Sequence, residues 1–114
     1  MAAKYDIICD QGATFSRQLT WLDDSSSAVN LTGYTARMQV RETVESSSTL
    51  LSLTTENSGI ALGGTAGTIT LTITAADTAA VVAGHYVYDL ELVSGSTVYR
   101  LVQGCFTVDA EVTR

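Results

Sequence analysis

Residues 84–114 decide the fold, and they read GHYVYDLELVSGSTVYRLVQGCFTVDAEVTR. Tyr86, Tyr88, Leu90 and Leu92 fall on one side of an extended chain, and the residues between them fall on the other. This period of two is typical of a half-buried β-strand. After a Ser-Gly-Ser turn at residues 94–96, a second apolar run returns toward Val108. The segment therefore predicts a long β-hairpin with one face against a core.

The rest of the sequence repeats the same alternation in shorter runs separated by turn residues. We predict strands at residues 5–9, 14–22, 35–42, 50–54, 60–62 and 68–73. Thr74 precedes Asp77 by three residues, which is close to a helix capping box, and Gly84 is a typical helix stop. The pattern indicates an all-β sandwich or barrel of about seven to eight strands, with one short helix near residues 75–83.

The side of each strand that carries the apolar residues predicts the core. We expect it to contain Ile7, Phe15, Leu19, Trp21, Met38, Val40, Ile69, Leu71, Ile73, Tyr86, Tyr88, Leu90, Leu101 and Phe106. Arg17 falls on the apolar side of its strand, so it should lie at a sheet rim or beside a carboxylate.

Length and composition limit the classes of protein that fit. The 114 residues are 46% apolar and 16% charged, which predicts one globular domain spanning residues 1–114. The net charge is −6 and the six basic residues are dispersed along the sequence, which argues against nucleic-acid binding. No apolar run is long enough for a signal peptide or a membrane span, so we expect synthesis in a cytoplasm and no membrane insertion.

The two cysteines, Cys9 and Cys105, lie near opposite ends of the sequence. They would become neighbours if the first and last strands pair. A reducing compartment would keep them as thiols, so we expect two buried strand cysteines, with a disulfide as the alternative. Two thiols and the single histidine, His85, cannot complete a four-ligand zinc site. We expect no metal and no cofactor.

Four patterns could carry chemistry, and each has a simpler explanation. His85 at a strand start is typical of a surface histidine, and Asp89 with Glu91 is typical of a solvated strand face. The Asp-Asp-Ser run at residues 23–25 lacks the order of a calcium loop. The glycine-rich run at 63–67 is not followed by the Lys-Ser/Thr of a phosphate-binding loop. We therefore expect no enzymatic activity.

Two further features bear on binding. Five aromatic residues could form a sugar-stacking platform, although core packing explains most of them: Trp21, Tyr34, Tyr86, Tyr88 and Tyr99. The sequence also contains no proline, a residue that often protects sheet edges from pairing with other chains. The edges are then guarded by charges alone, or they are meant to pair.

Four segments carry a family resemblance: residues 10–21 (DQGATFSRQLTW), 31–41 (LTGYTARMQVR), 84–92 (GHYVYDLEL) and 108–114 (VDAEVTR). Together they resemble a family of small structural proteins of tailed bacteriophages. Their layout is also similar to the N-terminal immunoglobulin-like domain of phage baseplate upper proteins. The resemblance implies an immunoglobulin-like β-sandwich, no catalytic residue, and a place in the virion after assembly in the host cytoplasm.

The function implied is that of an adaptor that docks neighbouring tail, baseplate or fibre subunits in multiple symmetric copies. A capsid decoration (cement) protein is the alternative, and a host-carbohydrate-binding module is a second one. We expect the chain ends to contribute partner contacts, at Ala3, Lys4, Val112 and Arg114.

Overall fold

The computed structural model describes residues 3–113, and most of these residues lie in β-strands. The strands are β1 (Ala3–Lys4), β2 (Ile7–Asp10), β3 (Phe15–Thr20), β4 (Thr35–Arg41), β5 (Leu51–Thr54), β6 (Ile60–Leu62), β7 (Thr68–Ile73), β8 (Gly84–Ser94) and β9 (Thr97–Asp109). A 3-10 turn (Gly64–Ala66) precedes β7, and a single α-helix, α1 (Ala75–Ala79), follows it.

The strands form two sheets that enclose one core. The larger sheet has the order β1-β9-β8-β4-β5, with β2 also pairing with β9, and the smaller sheet has the order β3-β7-β6. Both β1 and β2 run parallel to β9, and all other pairs are antiparallel. The opposition of β9-β8-β4 to β3-β7-β6 is the arrangement of an immunoglobulin-like sandwich. The predicted fold class is therefore confirmed.

The hairpin of β8 and β9 is the centre of the larger sheet. Its register pairs Ser94 with Thr97, so the loop has two residues, and Gly95 has a φ of 60°. A positive φ at the first central position but not at the second, Ser96, is that of a type II′ turn, which matches the twist of the strands. Farther along, β9 contains a bulge at Leu101, because Leu90 pairs with Val102 whereas Glu91 pairs with Arg100.

The number of strands exceeds the prediction because a two-residue strand, β1, precedes the first predicted strand, and Tyr5 and Asp6 lie between β1 and β2 outside either strand. Between β1 and β2, the Tyr5 carbonyl accepts a hydrogen bond from the Tyr88 hydroxyl, and Asp6 Oδ1 accepts one from the Cys105 N–H. The chain lies so close to Gly104 that a Cβ there would sit 2.5 Å from the Tyr5 oxygen. Because Gly104 has no side chain, the segment between β1 and β2 can pass close to β9.

The core follows the predicted alternation closely. Ten of the fourteen expected residues are buried, and Leu19, Trp21, Tyr86 and Leu101 are half-buried against them. The buried apolar side chains outside the expected set are Cys9, Leu31, Ala36, Leu53, Ile60, Val81, Leu92 and Val108. Cys9 and Cys105 are both free thiols, and Cys105 is exposed, so the expectation of two buried cysteines is wrong for Cys105. Cys9 pairs with Val108, which faces the core, whereas Cys105 pairs with Val87 and lies on the opposite face of β9.

The helix begins where the sequence predicts and ends four residues earlier. Thr74 caps it, with its Oγ1 accepting the Asp77 N–H at 3.2 Å. At the other end, the N–H groups of Ala80 and Val81 bond to carbonyls three residues back, which tightens the last turn. The Val81 carbonyl accepts a hydrogen bond from the Gln11 side chain at 2.8 Å, so a tertiary contact replaces continued helix.

Thr78 links the helix to the loop after β2. Its hydroxyl is buried, donates to the Ala13 carbonyl at 2.9 Å, and accepts the Gly12 N–H at 3.0 Å. Thr78→Val would leave both main-chain groups without this partner, so we expect unfolding free energy to fall by about 1–3 kcal/mol. Denaturant unfolding measures the change, with Thr72→Val on the half-buried side of β7 as the matched control. Equal stability of the two variants would contradict this role of the hydroxyl.

Candidate docking surface

The side of the larger sheet that faces away from the core is the candidate functional surface. We call it the outer face. It carries the outward side chains of four strands: Lys4 of β1, Arg37, Gln39 and Arg41 of β4, Val87, Asp89 and Glu91 of β8, and Arg100, Gln103 and Cys105 of β9. The strand alternation that buries Met38 and Leu90 necessarily presents these residues on the opposite side.

The outer face gathers most of the basic residues of an acidic protein. Four of the six basic residues lie there, accompanied by Asp89 and Glu91, with Asp6 at the rim. The remaining sequence carries nine carboxylates and only two basic residues, Arg17 and Arg114. Basic residues that are dispersed along the sequence are therefore concentrated in space. The charge of this face differs in sign from that of the chain as a whole.

A groove of about 500 Å³ crosses the outer face. Lys4, Arg41 and Arg100 line it together with Asp89, and Val44 and Val87 contribute apolar surface. Val44 is 79% exposed although it is apolar. Charged groups arranged around apolar contacts are typical of the rim and centre of protein–protein interfaces.

The cations of this surface differ in how they are already paired. Arg37 bonds Glu91 at 2.7 Å, and Arg100 lies 3.5 Å from Asp89. Arg41 instead donates to two neutral acceptors, the Ser46 carbonyl at 2.6 Å and Gln39 Oε1 at 2.9 Å. Within residues 3–113, Lys4 and Arg41 form no ion pair. These two charges are therefore not neutralised by a carboxylate of the described residues.

Asp89 is the acidic group most affected by this environment. Burial, together with the neighbouring charge of Glu91, raises the pKa of its carboxyl, and the nearby arginines oppose that rise. A carboxyl with a raised pKa in the folded protein binds protons more tightly there than in the unfolded chain. Its ionised form therefore lowers stability above that pKa, and the cost disappears as pH falls through it.

Asp89→Asn is accordingly expected to stabilise the protein slightly at pH 7, because the exposed pair with Arg100 contributes little. The advantage over the parent should vanish as pH is lowered toward about 4, where an ordinary aspartate protonates. Thermal unfolding of both proteins across this pH range measures the difference. Asp24→Asn, on an exposed loop, is the control. A clearly less stable Asn variant at pH 7 would show that the Arg100 pair outweighs burial.

Of the four chain-end residues expected to contact partners, the three that the structure describes do not lie together. Ala3 and Lys4 form β1 beside Val102 and Gln103, and Lys4 lines the groove. Val112 is 92% exposed but lies beyond the far end of β9, about 20 Å along the strand from Lys4. Arg114 lies outside the described residues. Among the three described residues, Lys4 alone therefore lies on the outer face.

The aromatic residues divide into separate groups. Trp21, Tyr34 and Tyr99 pack together, with ring centroids 5.4–6.4 Å apart and mostly edge-to-face contacts. Burial raises the pKa of the Tyr88 hydroxyl, which is bonded to the Tyr5 carbonyl, and Tyr86 bonds the Val82 carbonyl. The five rings therefore do not form one flat platform. Tyr99, at 42% exposure, is the most accessible part of the three-ring cluster.

The other sequence patterns have local structural roles. The carboxylate of Asp23 accepts the N–H groups of Ser25 and Ser27, as a plain turn requires, and His85 Nδ1 lies 3.1 Å from Thr107 Oγ1. Across residues 3–113, no three His, Cys, Asp or Glu side chains converge as metal ligands would. Nor does that part of the chain contain a helix with the length and hydrophobicity needed to cross a membrane.

Comparisons with known proteins identify no family for the chain. No protein-family model and no curated protein matches the chain. Among solved structures, it is similar to a VGSC beta subunit studied for multimeric cell-adhesive interactions. The two are 11% identical with a TM-score of 0.41, over 96% of this chain and 93% of the other.

Proposed function

We propose that this protein is a non-enzymatic structural component of a tailed-phage virion, an adaptor that docks neighbouring tail, baseplate or fibre subunits through the outer face. The observation that carries the proposal is the concentration of four of the six basic residues on one face of a chain with net charge −6. The resemblance of four sequence segments to phage structural proteins supplies the biological setting.

The geometry suits a docking role because the face is rigid and its charges are only partly compensated. The side chains project from β4, β8 and β9, which are paired over most of their length. Groups on a paired sheet keep their spacing, so a partner can be matched to them without ordering a loop. Arg41 and Lys4 offer charge and Val87 offers apolar surface from the sheet itself, and Val44, on the loop after β4, adds apolar surface to the same groove.

The partner surface is expected to be acidic where it meets the groove. Complementary charge mainly sets the rate and specificity of association, while buried apolar contacts supply affinity. An acidic partner surface would be repelled by the rest of this protein, which is mostly acidic, so it would dock at the outer face and not elsewhere. Repetition of one such contact around a symmetry axis would place several copies in a ring.

The test uses virus particles assembled without this chain, to which the purified protein is added back. Saturable co-sedimentation with tails is expected, and it should weaken as ionic strength rises from about 0.05 to about 0.5 M, because salt screens exposed charges. Failure to bind any particle, or binding that is indifferent to salt, would contradict the proposal. Binding to heads alone would favour the alternative role of a capsid decoration protein.

A further inference from the structure

The four edges of the two sheets differ in how they are protected against pairing with another chain. On β5, the side chain of Asn57 accepts the Thr54 N–H at 2.9 Å and donates to the Ser52 carbonyl at 3.0 Å, which closes that edge. On the opposite side of the same sheet, β2 is flanked by the carboxylates of Asp6 and Asp10. In the smaller sheet, β6 has only three residues. Each of these edges is blocked, charged or short.

The fourth edge, β3, lacks these protections. It has six residues, and within the described residues 3–113 it pairs with β7 alone. The Trp21 N–H donates to the Gly67 carbonyl, in line with the β3–β7 register, so odd-numbered residues of β3 bond to β7. The main-chain groups of Ser16, Gln18 and Thr20 therefore point away from the sheet. Their side chains are exposed and uncharged.

Arg17, the charged residue of β3 that points toward the core, already has contacts within the protein. Charged residues that point inward can discourage edge pairing, and Arg17 is half-buried on the core side of β3. Its guanidinium, however, donates to the Tyr5 hydroxyl at 2.5 Å and lies 5.4 Å from the centre of the Phe15 ring. Arg17 lies at the sheet rim, as one of the two sequence-based alternatives predicted.

We infer that β3 pairs with β3 of a second copy of this chain, antiparallel and across a two-fold axis at Gln18. The strand is complementary to itself in that register, because Ser16 lies opposite Thr20 of the other copy and Gln18 lies opposite Gln18. Hydroxyl pairs and amide pairs of this kind hydrogen-bond across strands. Three outward-pointing residues on each copy allow about six main-chain hydrogen bonds. The two smaller sheets would join into one continuous sheet.

This pairing rests on the proposed function, which requires contacts between copies. It assigns those contacts to the β3 edge. Its test uses the purified full chain alone. We expect sedimentation analysis to show a dimer, and Gln18→Pro, which removes the central N–H and places a ring in the partner's path, to be monomeric. Ser52→Pro on the closed β5 edge is the matched control and should remain dimeric.

A charge-swap pair tests the register without risk to the fold. Gln18→Lys and Gln18→Glu should each dimerise several-fold more weakly than the parent, because like charges meet at the axis. An equimolar mixture of the two should recover dimers that contain one copy of each. A parent that stays monomeric at every concentration, or a dimer that none of the Gln18 variants alters, would overturn the inference. Either result would leave the virion role standing, since that role is decided by binding to particles.

Discussion

Replacing Leu90 by alanine should lower the free energy of unfolding by about 2–5 kcal/mol, a large part of the stability of an ordinary domain. Leu90 is fully buried in the middle of β8, where it pairs with Met38 on one side and Val102 on the other. Truncation removes apolar contacts with both sheets and leaves a cavity that the paired strands cannot close. Equilibrium denaturation in urea measures the loss.

Val98→Ala is the matched control for this variant. Val98 lies in the same hairpin but is 47% exposed, so its truncation should cost much less. An unchanged unfolding midpoint for Leu90→Ala would mean that β8 is shifted by one residue. That shift would move Asp89 and Glu91 into the core and destroy the outer face.

Neutralising the groove should reduce binding to phage particles by about tenfold or more. The variant combines Arg41→Gln with Arg100→Gln, which removes two of the three cations that line the groove. Both side chains are on the surface, so the fold should be retained. Co-sedimentation with particles that lack the native chain, at low ionic strength, measures the loss.

The control for that variant makes an equal change in net charge at a distant place. Ser25→Glu combined with Ser27→Glu adds two negative charges on the exposed loop after β3. It should bind almost as well as the parent. If the two variants lose affinity equally, overall charge controls binding and the groove has no special role.

Much of the fold was predictable because the alternation of apolar and polar residues along a strand decides which side is buried. The limits of Ile60–Leu62 and Thr68–Ile73 agree with the sequence-based strands, and the burial of Tyr88, Leu90 and Leu92 follows the predicted period. The interruption between β1 and β2 was not predictable, since it depends on Gly104, about a hundred residues away. The early end of the helix has a similar cause, a contact from Gln11.

The candidate site was harder to predict than the fold. The sequence shows that Arg37 and Arg41 point to one side of a strand and that Asp89 and Glu91 do so in another. It does not show that these two strands are neighbours. The pairing of β4 with β8 places Arg37 opposite Glu91 and forms the outer face. The same limitation applies to Arg17, whose partner, Tyr5, lies between β1 and β2 beside the other sheet.

The most direct test of the central claim is to purify virions, separate heads from tails, and quantify this chain in each fraction by mass spectrometry. We predict enrichment in tails, at a copy number that is a multiple of the ring symmetry. Enrichment in heads would make the protein a capsid decoration protein. Absence from both fractions would contradict the virion role altogether.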